Sequence, residues 1–129
     1  MSAVEAAGLW IGLNLILLLY LSYRVGPARR KARVSVGDGG DPGLQRAIRT
    51  QANFVEYAPI FLAGLLAVAL VGAPGLLVHL LGALFLFARV AHFLGFGLEA
   101  WEPGRFVGTL TTFILMLAEA LTLVFFAFT

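Results

Sequence analysis

Cysteine is absent from this chain of 129 residues, and charged side chains make up only 12% of it. Without cysteine there is no disulfide framework, no thiolate nucleophile and no cysteine-ligated metal site. Soluble domains are about one quarter charged and about half apolar, whereas this chain is 60% hydrophobic with a mean hydropathy of +0.94. One small core cannot bury that much apolar surface. The composition therefore predicts an integral membrane protein.

Four stretches are long and apolar enough to cross a bilayer, which takes about 20 residues per helix. They cover residues 6–23, 54–71, 75–98 and 106–129, and the second has a polar extension back to about Leu44. The first stretch has no basic segment before it, so it is interpreted as a helix of the mature protein and not as a signal peptide. We therefore predict an all-α membrane protein, a four-transmembrane-helix bundle that forms a single domain over residues 1–129.

The connections between the spans differ strongly in charge. Residues 26–43 are basic and then glycine-rich, which predicts a flexible loop. The connection at 72–74 is a tight, uncharged turn, and residues 99–105 form a short polar loop. The cations concentrate around the first connection, at Arg24, Arg29, Arg30, Lys31, Arg33, Arg46 and Arg49. This asymmetry predicts that the first and third loops lie in the cytoplasm, with the basic run beside anionic membrane lipid. We expect no nucleic-acid partner and no metal site.

Polar side chains also continue into the second and third spans. They recur every three or four residues, as two narrow stripes: Arg46, Arg49, Asn53 and Glu56 in the second span, and Arg89, His92, Phe96 and Glu99 in the third. The spans are antiparallel, so Glu56 and Arg89 lie at similar depth, and we predict an ion pair between them. Because unpaired charges in lipid are costly, the stripes should face each other or a shared cavity.

One ion pair leaves a surplus of arginine, asparagine and histidine side chains in the membrane. Such a surplus is typical of a site for a polar ligand. More cations than anions face the site, which predicts an anionic ligand, and the carboxylate of Glu56 indicates that this ligand also carries an ammonium group. The alternative is that the cluster only holds the helices together.

Two motifs resemble one known family. "RxxxNxxEYxP", which contains Arg49, Asn53, Glu56, Tyr57 and Pro59, and "FARVAHFLGF" at residues 87–96 are similar to segments of the MAPEG family, the membrane-associated proteins of eicosanoid and glutathione metabolism. The resemblance covers nearly the whole chain and is strongest to the short prokaryotic members. It therefore implies a location in the bacterial inner membrane.

The resemblance implies a homotrimer of four-helix subunits with glutathione, the co-substrate, bound between neighbouring subunits near the cytoplasmic face. The second span would line the threefold contact through small residues, namely Ala52, Ala63, Gly64 and Ala67. By the same resemblance Arg105 is the catalytic residue, which stabilises the thiolate nucleophile. The implied ligand-binding residues are Arg46, Arg49, Asn53, Glu56, Tyr57, Arg89 and His92.

The expected function is that of a membrane glutathione transferase or peroxidase acting on hydrophobic small molecules, either electrophiles or lipid hydroperoxides. The phenylalanines at 96 and 106 depart from the tyrosine and serine that eicosanoid synthases of this family carry, which argues against a specific eicosanoid synthase. The alternative function is a non-catalytic membrane protein whose polar cluster serves trimer assembly or lipid binding.

Overall fold

The computed structural model describes residues 1–128, and long helices account for most of them. In chain order they are α1 (Ala3–Ala32), α2 (Pro42–Leu70), α3 (Gly75–His92) and α4 (Gly104–Ala127), and a π-helix (Phe93–Gly97) continues α3. Each of the four is long and apolar enough to cross a membrane, α3 together with its π-helix. The predicted all-α architecture with four spans is confirmed. The fourth predicted span ends at Thr129, which lies outside the described residues.

Local sequence signals set the beginnings of α1 and α2. Ser2 and Glu5 form a reciprocal capping box, in which each side chain accepts a hydrogen bond from the other residue's backbone N–H. At the start of α2 the Asp41 carboxylate accepts the N–H of Leu44 at 2.8 Å, and Pro42 follows directly. The uncharged turn after α2 places Gly72 at a φ of +89°, a conformation that glycine adopts without strain.

The first connection is shorter than predicted, because α1 continues through Gly26 and Pro27 to Ala32. The predicted loop over residues 26–43 is therefore wrong in its first part. The residues after Pro27 are alanine, arginine and lysine, which favour helix, and α1 stops at Arg33, which adopts the left-handed conformation. With 30 residues, α1 is about 45 Å long, roughly 15 Å longer than the hydrocarbon core of a bilayer.

The helices pack around a central pair, α2 and α3, with α1 and α4 on opposite sides of it. At the centre Phe61 of α2 stacks on Phe85 of α3, with ring centroids 4.0 Å apart and both side chains fully buried. The inner face of α4 approaches α3 through glycine. A Cβ atom at Gly108 would collide with the carbonyl oxygen of Ala88 and lie 2.7 Å from the backbone nitrogen of His92. This close approach brings the polar residues of α3 and α4 together.

Gly64 makes a close contact within the protomer. It packs against Glu119 of α4, whose Oε2 lies 2.5 Å from where a Cβ on Gly64 would be. Gly64 is half-buried and Ala63, one residue earlier, is exposed, and the assignment of both to a contact between subunits stays a prediction.

Candidate functional site

The polar side chains of α2, α3, the π-helix and α4 converge at the end of the bundle where α1 projects. Arg89 of α3 lies deepest and is 3% exposed. Its Nη1 donates to Asn53 Oδ1 of α2 at 2.9 Å, and its Nη2 donates to the carbonyl of Gly108 at 3.3 Å and to the hydroxyl of Thr112. Its buried Nε has no hydrogen-bond partner within residues 1–128. A buried cation is thus held by neutral acceptors alone, and its charge is not compensated.

The predicted ion pair between Glu56 and Arg89 is wrong. Glu56 instead contacts Arg49 of its own helix, at 3.5 Å, with side chains that are 47% and 57% exposed. Glu56 follows Asn53 by three residues, which rotates it about 60° around α2 and away from α3. The two terminal nitrogens of the Arg89 guanidinium also already donate hydrogen bonds to Asn53 and to α4. The stripe on α2 therefore divides. Asn53 faces α3, whereas Arg49 and Glu56 lie on the exposed side of α2, which we call its open side.

This correction makes a testable prediction about stability. Because exposed ion pairs contribute about 0–1 kcal/mol, the Glu56→Gln variant should unfold within about 1 kcal/mol of the wild-type protein. Thermal unfolding followed by circular dichroism in detergent measures this difference. A decrease of several kcal/mol in the free energy of unfolding would contradict the exposed position of Glu56 and would favour the buried ion pair with Arg89.

Phe96 in the π-helix lies between two arginines. The Arg46 guanidinium is 5.4 Å from the ring centroid of Phe96 and that of Arg105 is 4.9 Å away, within the range of cation–π attraction. Arg46 also donates to the carbonyl of Phe96 at 2.9 Å and forms an ion pair of 2.7 Å with Glu99. Arg46 therefore joins the start of α2 to the end of the third span.

The π-helix was not predicted from the sequence. Its backbone contains the wide hydrogen bond from the N–H of Leu98 to the carbonyl of Phe93, at 3.0 Å. The glycines at 95 and 97 are the only local signal, and Gly95 lets the backbone of Arg105 approach closely. Arg105, predicted to end the third loop, lies instead in the first turn of α4, which begins at Gly104. Its side chain is thereby fixed beside Phe96.

Three neighbouring cavities surround Phe96. A polar one of about 60 Å³ is lined by Arg49, Asn53, His92, Phe96 and Arg105. It is flanked by a cavity of about 350 Å³ that includes Arg46 and Arg49, and by one of about 370 Å³ that includes Arg46 and Arg105. The structure thus brings five of the predicted site residues together around Phe96: Arg46, Arg49, Asn53, His92 and Arg105.

The other three predicted site residues line none of these cavities. Arg89 lies behind Asn53, Glu56 is on the open side of α2, and the ring of Tyr57 lies 5.7 Å from the Arg89 guanidinium. At the mouth of the cavity of about 350 Å³ beside the start of α2, hydrogen bonds from the backbone of Gly40 and the side chain of Gln45 lower the pKa of Asp38. Asp38 is the one acid among the residues that line that cavity. Which of these side chains bind a ligand stays a prediction.

Fold and site define a multi-span membrane protein with an arginine-rich polar site at one end of its helical bundle. The model of the MAPEG family matches residues 7–125, and the chain belongs to that family. The resemblance carried by the two motifs is thereby confirmed.

The relatives include both bacterial and mammalian proteins. The inner membrane protein YecN of Escherichia coli strain K12 is 36% identical over 112 residues, which are 85% of this chain and 86% of YecN. Leukotriene C4 synthase of Bos taurus is 38% identical over 96 residues, and that of Rattus norvegicus is 37% identical over 89. The matches with these synthases cover 70% and 68% of this chain but only 60% and 59% of the synthases.

Proposed function

We propose that this protein is a membrane glutathione transferase or peroxidase that acts on hydrophobic electrophiles or lipid hydroperoxides. Membership of the MAPEG family and the similarity to leukotriene C4 synthases support this class of activity. The similarity to an inner membrane protein of Escherichia coli supports a location in the bacterial inner membrane, and the basic first connection supports cytoplasmic first and third loops.

The observation that carries the proposal is the excess of positive charge at the site. Arg49 and Arg105 line one polar cavity, and the uncompensated Arg89 lies directly behind it. No carboxylate lines this polar cavity among the described residues, while Glu56 contacts Arg49 at 3.5 Å and Glu99 and Glu102 line the neighbouring cavity of about 370 Å³. The Nε of Arg89 also lacks an acceptor within residues 1–128. Glutathione has two carboxylates and one ammonium group, so its charges fit this arrangement.

The open side of α2 supports binding between subunits. Glu56 lies seven residues beyond Arg49, hence about 10 Å further along α2, and both side chains are about half exposed in the protomer. In an isolated protomer these charges would face lipid, which is energetically unfavourable. A homotrimer with closed threefold symmetry shields this side of every α2 from lipid and leaves the site, with its exposed ion pair, open to the cytoplasm between neighbouring subunits.

Each predicted residue has a place in this proposal. Arg49 and Asn53 hold the carboxylates and peptide groups of glutathione, and Glu56 holds its ammonium group. Glutathione supplies a thiol when bound, and Arg105 stabilises the ionised form of that thiol.

The remaining residues position these groups. Arg89 orients Asn53 through the bond of 2.9 Å, and Tyr57 packs against Arg89. Arg46 fixes Phe96, which lines all three cavities, and His92 closes the polar cavity beside it. The hydrophobic substrate reaches the site from the bilayer.

A non-catalytic role is the second candidate, and one observation favours it. Several donors of the cluster are already satisfied inside the protomer, by the ion pair of Arg46 with Glu99 and by the bonds from Arg89 to Asn53 and Thr112. A cluster that only assembles the trimer would bind no glutathione.

The deciding experiment is calorimetric titration of the detergent-solubilised protein with glutathione, together with a conjugation assay on a generic aromatic electrophile. We expect binding and turnover in the wild-type protein. Arg49→Gln should weaken binding about tenfold or more, because an arginine–carboxylate bond contributes roughly 1.5–3 kcal/mol. Arg33→Gln is the matched control, since Arg33 is an exposed arginine away from the site. No binding to the wild-type protein, or equal effects of the two variants, would contradict the proposal.

A further inference from the structure

A second set of cations lies on α1, away from the cavities around Phe96. Arg24, Arg30 and Lys31 share one helical face with Ile16, Tyr20 and Tyr23, since these positions recur every three or four residues. We call this set of six residues the α1 stripe. Its apolar members are exposed, Ile16 by 65%, Tyr20 by 48% and Tyr23 by 70%. Arg33 follows the last residue of α1, in the left-handed conformation, and so is not part of this helical face.

The cations of the α1 stripe have no acidic partner within residues 1–128. Arg24 places its guanidinium 5.0 Å from the ring centroid of Phe93, and its shielded Nη1 has no hydrogen-bond acceptor among the described residues. Neither Arg30 nor Lys31 donates a side-chain hydrogen bond to any of these residues. Arg24 is only partly buried, and Arg30 and Lys31 are exposed, so an acceptor from outside the chain can reach these cations.

The nearest carboxylates along the sequence are engaged elsewhere. Asp38 accepts the backbone N–H of Gly40 at 2.9 Å, and Asp41 accepts that of Leu44 at 2.8 Å. Asp41 and Lys31 line a shared hollow of about 390 Å³ between α1 and the start of α2.

The length of α1 sets the depth of the stripe. Residues 3–23 span about 31 Å at 1.5 Å per residue, which equals the thickness of the hydrocarbon core. Tyr23 then lies at the boundary, where tyrosine is enriched in membrane proteins. The segment from Arg24 to Lys31 extends about 10 Å further, through the layer of lipid headgroups.

We propose that the α1 stripe is a binding site for one anionic phospholipid. Arg24 and Lys31 donate hydrogen bonds to the phosphate oxygens, Arg30 adds positive charge, and the acyl chains lie along Tyr20 and Ile16. The exposed apolar path beside the cations favours a phospholipid over a free phosphate ion. This site is separate from the proposed glutathione site and does not depend on it.

The test is thermal unfolding in detergent with three added probes: phosphatidylglycerol, phosphatidylcholine and inorganic phosphate. We expect phosphatidylglycerol alone to raise the unfolding temperature, in a saturable manner. Lys31→Gln should raise the half-saturating concentration about fivefold, and Arg24→Gln combined with Lys31→Gln about 25-fold, given the usual contribution of one cation at an anionic surface. Arg33→Gln, which removes an equal charge from outside the α1 stripe, should change it less than about twofold.

Three results would overturn the proposal. Equal weakening by Lys31→Gln and Arg33→Gln would show attraction to the whole basic segment and no defined site. Equal protection by inorganic phosphate would show an anion site without lipid recognition. No protection by phosphatidylglycerol would show that the stripe binds no such lipid. Lys31 is exposed, so its single variant keeps the test valid even if the Arg24 variant fails to fold.

Discussion

The Gly108→Ala variant is expected to unfold at a much lower temperature than the wild-type protein. The added Cβ would collide with the carbonyl oxygen of Ala88 and lie 2.7 Å from the backbone nitrogen of His92. These are backbone atoms of α3, so no side-chain rotation relieves the contact and the two helices must separate. Overpacking of this kind costs about 1–3 kcal/mol and occasionally more. Separation also moves the carbonyl of Gly108 away from Arg89, which donates to it at 3.3 Å.

A matched control is available in α1. Gly12 is also a glycine inside a membrane-spanning helix, but a Cβ at that position would meet nothing within 4 Å. Because alanine favours helix over glycine by about 1 kcal/mol, Gly12→Ala should leave the unfolding temperature unchanged or raise it. Circular dichroism in one detergent compares the two variants. If Gly108→Ala unfolded at the wild-type temperature, the close approach of α3 and α4 would be wrong.

The sequence predicted the spans well because length and hydropathy alone specify a membrane helix. The turn after α2 also followed from local residues. The extension of α1 through Pro27 to Ala32 was missed, because Gly26 and Pro27 together are typical of a loop. The alanine, arginine and lysine residues that follow Pro27 have high helix propensity, and they outweighed that signal at the projecting end of α1.

The sequence predicted most of the residues that meet at the site, but not which of them contact each other. Spacing along α2 identifies which residues share a stripe, yet it does not give the rotation of α2 relative to α3. A rotation of about 60° decides that Asn53, and not Glu56, reaches Arg89. The π-helix has the same consequence at Phe96, since one wide turn redirects every side chain after it. The contact at Gly108 depends on the distance between helices, which no single-sequence pattern contains.

Replacement of Arg105 by alanine is expected to lower turnover with glutathione about 100-fold at pH 7, as is typical when one stabilising donor at a developing anion is removed. The Arg105 guanidinium stacks 4.9 Å from the ring centroid of Phe96 and makes no side-chain hydrogen bond or ion pair within residues 1–128. Its donors are therefore available to a ligand in the polar cavity that it lines. The alternative role for Arg105 is that of a topology anchor, an arginine that holds the start of α4 at the cytoplasmic membrane surface. Such an anchor would need no free donors.

The pH dependence separates the two roles of Arg105. A free thiol has a pKa of about 8.5, and a nearby guanidinium favours the ionised form, so turnover of the wild-type protein should change little from pH 7 to pH 9. Without Arg105 the ionised fraction at pH 7 falls, so turnover of Arg105→Ala should rise with pH, with a midpoint near pH 8.5. Arg105→Lys should retain part of the activity at pH 7, because it keeps the positive charge.

Absorbance of the thiolate in the ultraviolet, measured on bound glutathione in both proteins, checks the same shift without turnover. Calorimetric titration with glutathione and thermal unfolding confirm first that Arg105→Ala is folded and loaded. An anchor would lower the yield of folded protein and leave both the pH profile and the thiolate absorbance unchanged. If folded, glutathione-bound Arg105→Ala turned over at the wild-type rate at pH 7, Arg105 would have no part in the chemistry. Stabilisation of the thiolate would then have to come from another donor of the polar cavity, and Arg49 is the other arginine that lines it.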